Sequence, residues 1–156
     1  MPDTSLQFRR ARASDLDAIV ALLADDVLGS GREDPSVPAS ACYVQAFDAI
    51  DRDPNQLLAL AERHGAVVGC LQLSFIPGLS RRGLWRGQIE SVRVAAGERG
   101  AGTGRAMFEW AIGQCRERGC GLAQLTTDKS RADARRFYES LGFTATHEGM
   151  KLELAA

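Results

Sequence analysis

The sequence predicts an α+β fold on a mixed, mostly antiparallel sheet flanked by about four helices. Three observations predict it. The elements read βα(α)βββαβαβ(β) in order. Three strand-like segments follow one another in the middle, as an antiparallel meander does. Strands and helices do not alternate strictly, which sets the chain apart from a doubly wound fold. With 156 residues, 45% hydrophobic and 25% charged, one domain spanning residues 1–156 is expected. A chain of this length buries roughly 70% of the surface it exposes when unfolded.

Residues 6–11 read as an opening strand. Ser14-Asp15 then starts a helix, with a capping residue, acids in the first turn and Leu16, Ile19, Val20, Leu22 and Leu23 on one side. Two glycines and two prolines make residues 29–38 a loop. A second helix runs over residues 39–51 and ends at Asp53-Pro54-Asn55. The apolar runs 56–62 and 66–76 flank Arg63-His64-Gly65, a hairpin signal. Residues 77–83 form a basic turn leading to the extended segment 84–94. Residues 95–104 are Gly-rich. Residues 106–118 are helical, with Met107, Phe108, Ala111, Ile112 and Cys115 along one side, and Gly119 and Gly121 bracket the stop. A strand over 121–127, a helix over 131–141 ended by Gly142, and a closing hairpin from Phe143 to Leu154 complete the reading.

A formal charge of −1 gives no global basic field for nucleic acid or an anionic membrane. No apolar run approaches the roughly 18 residues of a membrane span. Asp3, Gln7, Arg9, Arg10 and Arg12 with no apolar stretch argue against a signal peptide, so a cytoplasmic location is expected. Cys42, Cys70, Cys115 and Cys120 have no CxxC spacing and only two histidines to join them, so no metal is expected; Cys70 and Cys115 read as buried structural thiols.

The most informative stretch is Glu98-Arg99-Gly100-Ala101-Gly102-Thr103-Gly104-Arg105, between a strand and a helix. Glycines let the backbone approach a ligand and present successive N–H groups, and a helix N-terminus adds unpaired donors, a combination suited to phosphate or pyrophosphate. By themselves three glycines are also compatible with a plain strand-to-helix turn. A Walker loop needs Gly-Lys-Ser or Gly-Lys-Thr, which Gly104-Arg105-Ala106 lacks. A dinucleotide fingerprint needs GxGxxG and an acid ending the next strand; here the spacing is GxGxG and that strand ends in Thr126-Thr127.

Arg99-Gly100-Ala101-Gly102-Thr103-Gly104 resembles the R/Q-x-x-G-x-G/A signature of the GNAT superfamily of acetyl-CoA-dependent N-acetyltransferases. Residues 89–94 resemble that family's fourth strand, and Ala134-Arg135-Arg136-Phe137-Tyr138-Glu139-Ser140-Leu141-Gly142-Phe143 resembles its A-x-x-F-Y-x-x-L-G-F segment. The likeness spans nearly the whole chain, although the first 60 residues match in pattern only. It implies a sheet splayed between the fourth and fifth strands by a bulge, with acetyl-CoA as cosubstrate. Val92, Arg93 and Val94 would then offer backbone groups to the pantetheine and the acetyl carbonyl, one N–H stabilising the oxyanion. Arg99, Gly100, Ala101, Gly102, Thr103, Gly104 and Arg105 would hold the pyrophosphate. The family often has asparagine before the last helix; Asp128-Lys129-Ser130-Arg131 lacks it, and Arg131 or Ser130 would substitute.

Glu90 is the candidate general base, because an alkylamine is mostly protonated at neutral pH and a carboxylate beside the thioester helps remove its proton. The alternative is a carboxylate that only orients the ammonium. Tyr138 is the candidate general acid for the departing thiolate, or else an aromatic packed beside Phe137. His147 and His64 read as structural or exposed residues. Asp25, Asp26, Glu33 and Asp34 would suit a cationic amine, whereas Arg81, Arg82 and Arg86 would suit an anionic one; either cluster is equally a solvated face. Leu79, Leu84 and Trp85 are too apolar for a bare loop and would line an acceptor pocket or a dimer interface. The resemblance thus implies transfer of acetyl to a primary amine, of a small molecule such as an aminoalkylphosphonate or aminoglycoside, by a homodimer. The alternatives are a protein N-terminus or lysine as acceptor, and a non-catalytic acyl-CoA sensor.

Overall fold

Five strands form one open sheet in the order β1-β2-β3-β4-β5 in the computed structural model, which describes residues 5–155. The strands are β1 (Leu6–Arg10), β2 (Gln56–Arg63), β3 (Ala66–Ile76), β4 (Arg86–Val94) and β5 (Leu122–Gln124). The helices are α1 (Leu16–Ala24), α2 (Ala41–Arg52), the single turn α3 (Ser80–Gly83), α4 (Thr103–Glu117) and α5 (Ala132–Ser140). Neighbours pair antiparallel except β4 and β5, which are parallel. A parallel pair needs a crossover, and α4 supplies it.

Local chemistry fixes the joints. His64 and Gly65 both take positive φ, 51° and 79°, which matches the two-residue turn that suits the twist of a hairpin. At the β1–α1 corner the Arg9 guanidinium grips both Asp15 carboxylate oxygens at 2.7 and 2.8 Å, and Asp15 also accepts the Arg12 N–H at 2.7 Å. The hydrogen bond from Arg9 holds the Asp15 carboxyl below its usual pKa. At the other end of the sheet, a Cβ on Gly87 would lie 2.2 Å from Cys115 Sγ; only glycine lets α4 settle this closely on β4.

Side-chain alternation divides the core into two layers. Leu57, Ala59, Leu71, Leu73, Phe75 and Ile89 meet Met107, Phe108, Ala111 and Cys115 of α4 on one face. Leu58, Leu60 and Cys70 meet Ile19 of α1 and Phe47 of α2 on the other. Both faces of β2 and β3 are covered, which explains their near-continuous apolar runs. Cys70 and Cys115 are buried as expected, and burial pushes their thiols up to about 12 and about 11. Cys42 is exposed.

Two expectations are corrected. The closing hairpin over Phe143–Leu154 does not form: residues 144–155 carry neither strand nor helix. Gly142, at φ 100°, ends α5, Phe143 donates its N–H to the Tyr138 carbonyl at 3.1 Å, and the chain then leaves the sheet. The strand expected over 121–127 is paired only over Leu122–Gln124, because β4 turns away beyond Gln88 and takes its ladder with it. Helix boundaries shift by one to three residues, as fraying ends do.

Candidate functional site

The site begins with one extra residue in β4. Gln72 faces Glu90 and Cys70 faces Arg93, so Leu71 alone opposes both Ser91 and Val92. Ser91 takes φ 54°, a conformation that costs a non-glycine residue of order 1 kcal/mol or more. This is a β-bulge, and bulges bend a strand and re-aim its groups. Just before it, pairing with β5 stops at Gln88↔Gln124. From Ile89 to Val94 the backbone is laddered to β3 but carries no ladder to β5.

A cavity of about 640 Å³ opens against this stretch, lined by Asp25, Asp26, Val92, Arg93, Val94, Arg99 and Arg131 among others. Arg93 reaches across it: its guanidinium lies 3.4 Å from Asp26 and donates to the Val92 carbonyl at 3.0 Å. Its Nε is buried with no acceptor among the described residues. A buried N–H left in this way costs free energy.

A second cavity of about 360 Å³ adjoins the first and is lined by Val94, Glu98, Arg99, Gly100, Gly102, Gly104, Arg105 and Phe137. Gly100 and Gly102 take φ 84° and 82°, with open space where a Cβ would stand. Gly102 caps the N-terminus of α4, so unpaired N–H groups and the positive end of the helix dipole gather at this opening. The chemistry fits the pyrophosphate of coenzyme A: a backbone cradle, a helix terminus and two guanidinium groups.

The loop residues are not equivalent. Thr103 is buried; its hydroxyl donates to Glu98 at 3.2 Å and accepts from Arg63 at 3.4 Å. It braces the loop, and only its backbone N–H is left to face a ligand. Arg99 donates to the Asp25 carbonyl at 3.1 Å, and Arg105 donates to Ser140 Oγ at 2.8 Å, tying the loop to α1 and α5. Ala101 is exposed and lines neither cavity. Arg131 lines the larger cavity, whereas the Ser130 hydroxyl is engaged with Asp128 at 2.6 Å.

Tyr138 is half-buried on α5, set edge-on against Phe108 and Phe143 with ring centroids 5.3 and 6.4 Å away. Burial raises its phenol pKa, partly offset by the charges of Arg131 and Arg93; Tyr138 itself lines neither cavity. Glu90 is exposed, and its Oε1 lies 3.5 Å from Ser74 Oγ.

Glu90 does not stand alone. Gln56 Oε1 accepts from both Gln72 and Ser74 at 3.0 Å, and Gln124 donates to Gln88 Oε1 at 2.8 Å. Direct pairing sets Gln56, Gln72, Ser74, Glu90, Gln88 and Gln124 on one face, making a polar row beside the bulge. Sequence reasoning missed this row. The signal was there: Gln72 and Ser74, two residues apart, interrupt the apolar run of β3.

Other expected groups fall elsewhere. Asp26 and Asp25 are engaged with Arg93 and Arg99, at 3.4 and 3.8 Å, while Glu33 and Asp34 bond Tyr43, Ser36 and Ser40. Arg81 and Arg82 are exposed in a left-handed turn at the tip of the β3–β4 hairpin. His147 is exposed beside Thr146, outside both cavities. Among the described residues no cluster suited to a metal occurs, and no helix is long and apolar enough to cross a membrane.

Comparison with known proteins agrees with this architecture. The chain is 30% identical over 141 residues to an aminoalkylphosphonate N-acetyltransferase of Salmonella typhimurium, covering 90% of this chain and 86% of that one. It is 29% identical over 161 residues to a streptothricin acetyltransferase of Streptomyces lavendulae, covering 90% and 82%. Among solved structures, one described as a transcriptional regulator from Bacillus halodurans superposes with a TM-score of 0.92 at 48% identity, over 96% of this chain and 99% of that one. A Trypanosoma brucei acetyltransferase gives 0.76 at 28% identity, over 96% and 99%. A sequence model of the acetyltransferase (GNAT) family matches residues 19–143, and with the bulged fourth strand, the parted fifth and the glycine loop before α4, the chain belongs to that family.

Proposed function

We propose that this protein, working in the cytoplasm as a homodimer, transfers an acetyl group from acetyl-CoA to the primary amine of a small molecule, by direct attack in a ternary complex. The observation that carries the reading is the backbone of β4 after Ser91, which has no ladder to β5 and lines the cavity that adjoins the glycine loop. Acetyl-CoA supplies an acyl group already activated as a thioester. Gly100, Gly102, Gly104 and the backbone of Thr103, with Arg99 and Arg105, hold its pyrophosphate, and Arg131 stands further along the cofactor's path. Val92, Arg93 and Val94 direct backbone groups at the pantetheine and the acetyl carbonyl. One of these N–H groups stabilises negative charge developing on the carbonyl oxygen.

Glu90 removes a proton from the amine, whose pKa near 10 keeps it largely protonated at neutral pH. The polar row of Gln72, Ser74, Gln88 and Gln124 orients the acceptor beside it. Tyr138 donates its proton to the departing thiolate; burial keeps the phenol protonated beyond its ordinary range, so the donor is present at neutral pH. Two similar proteins, the aminoalkylphosphonate and streptothricin acetyltransferases, carry small-molecule acceptors in their names, which supports a small amine here. The test is a thiol-release screen of acetyl-CoA against an amine panel that includes peptides. Release with a small amine is expected; release with peptides alone would replace that acceptor with a protein N-terminus or lysine. The regulatory description of the Bacillus halodurans structure favours a second reading, an acyl-CoA sensor without chemistry. Calorimetric binding of acetyl-CoA with no thiol release for any amine selects it.

A further inference from the structure

We propose that the acceptor is a hydroxyl-bearing amine with an acidic group at its far end, and that Arg86 binds that group. The inference rests on the preceding reading, in which Glu90 meets the amine, and names the substrate class of that same site.

β4 carries a column of polar side chains on one face of the sheet. Direct pairing sets Arg86 opposite Ile76, Gln88 opposite Ser74, Glu90 opposite Gln72 and Arg93 opposite Cys70. Cys70 belongs to the apolar cluster of α1 and α2, so the column shares the face on which those helices pack. It starts at the larger cavity, which Arg93 lines and where Asp26 offsets its charge at 3.4 Å. Glu90 follows, two positions before Val92 of the same cavity. Arg86 stands at the far end, partly buried. A Cβ on Gly78 would come within 3.5 Å of Arg86 Nη1, so glycine there leaves the guanidinium room. The other arginines of the strands, Arg9, Arg10, Arg63 and Arg93, each pair with a carboxylate. Among the described residues Arg86 has none.

Between the carboxylate and the guanidinium the side chains are neutral amides. Gln72 Nε2 donates to Gln56 Oε1 at 3.0 Å, and Gln124 Nε2 donates to Gln88 Oε1 at 2.8 Å. These bonds orient the amides and leave Gln88 Nε2 as a donor, with Gln72 Oε1 and Gln124 Oε1 as acceptors, free of partners among the described residues. Hydroxyl groups donate and accept at once, so they satisfy such a mixed surface where a bare alkyl chain does not. Length sets the next limit. Four residues of extended strand separate Glu90 from Arg86, about 13 Å. A hydrogen bond of roughly 3 Å at each end leaves about 7 Å between the nitrogen of the acceptor and its acidic group. Opposite charges at the two ends also decide which way round the molecule lies, with the ammonium at Glu90 and the anion held away from that carboxylate at Arg86. A carboxylate and a phosphate share the chemistry that a guanidinium binds.

Thiol release from acetyl-CoA with amines of matched length tests this: hexylamine, 6-aminohexanoic acid, 1-amino-1-deoxyglucitol and 6-amino-6-deoxygluconic acid. The wild type is expected to give its highest kcat/KM with the last, which carries both hydroxyls and an acid. Arg86→Gln is expected to lower the ratio of kcat/KM for acidic over neutral amines at least about tenfold, through KM, and Arg86→Lys to restore part of it. Salt gives a readout on the wild type, and it decides should the variants fail to fold: added salt raises KM for the acidic amines more than for the neutral ones. A fifth amine, 5-aminopentyl phosphate, separates the two acids; faster release than with 6-aminohexanoic acid selects phosphate, and slower release selects carboxylate. A wild type without preference for the acidic amines, or a ratio unmoved by Arg86→Gln, would overturn this inference and leave acetyl transfer standing. Bound acetyl-CoA with no thiol release for any of these amines would overturn the transfer reading, and the inference with it.

Discussion

The two halves of β4 differ in what their backbones meet. Arg86 to Gln88 is laddered on both sides, to β3 and to β5, and Gly87 sits under Cys115 with no room for a methyl group. Ser91 to Val94 has no ladder to β5; Ser91 is strained, and Val92, Arg93 and Val94 line the larger cavity. The first half satisfies its backbone within the fold; the second leaves backbone without a ladder to β5 beside a cavity. A single extra residue and a diverging neighbour make this change within a span of nine residues. The lesson is that backbone hydrogen bonds left unmade inside a sheet mark a site as clearly as side chains do.

The comparison can be broken most severely at the bulge. Deleting Ser91 restores regular pairing, with Val92 alone opposite Leu71, and removes the bend that the bulge puts into β4. Calorimetry is expected to show loss of acetyl-CoA binding by at least about a hundredfold, and unaltered affinity would separate the bulge from the site. Next in size, Glu90→Gln is expected to lower turnover about a hundredfold at neutral pH, with the rate profile displaced toward higher pH where the amine is already neutral. An unshifted profile would assign the base elsewhere. Tyr138→Phe follows: a fall in turnover of about tenfold or more with acetyl-CoA affinity nearly intact, since the ring and its aromatic contacts remain.

The laddered half answers to stability instead. Gly87→Ala drives a methyl into Cys115 and is expected to cost about 1–3 kcal/mol in denaturant unfolding. Acetyl-CoA affinity measured on the folded fraction should change far less than it does for the bulge deletion. The smallest effect is chemical. At pH 8 a thiol reagent is expected to label Cys42 promptly and Cys70 only after unfolding. Burial raises the Cys70 thiol in the folded state to about 12 from about 9, so its contribution to stability is complete below pH 9 and is lost as pH rises from 9 towards 12. A stability profile flat across that window would contradict the burial of this thiol.

Much of this was legible from residues alone. The glycine loop, the Phe137-Tyr138 segment and the element order are local signals, because a positive φ, a helix start or an apolar period is written into neighbouring residues. The polar row was harder to see, since Ser74 meets Glu90 across 16 positions and Gln124 meets Gln88 across 36. Strand register brings these side chains together, and register is a property of the whole sheet. The C-terminal segment misled for a related reason. Its alternation is a true strand signal, but a strand needs an edge, and residues 144–155 do not name the sheet they would join.

The sequence by itself determined the order of elements as far as α5, the glycine-rich turn before α4 and the family, because each is encoded within a turn or two of chain. Only the tertiary structure decided that Thr103 turns its hydroxyl inward, that Asp26 holds Arg93 across the cavity and that β4 parts from β5 after Gln88. Those outcomes depend on distant groups competing for the same hydrogen bonds and the same space, and that competition is resolved only when the chain packs.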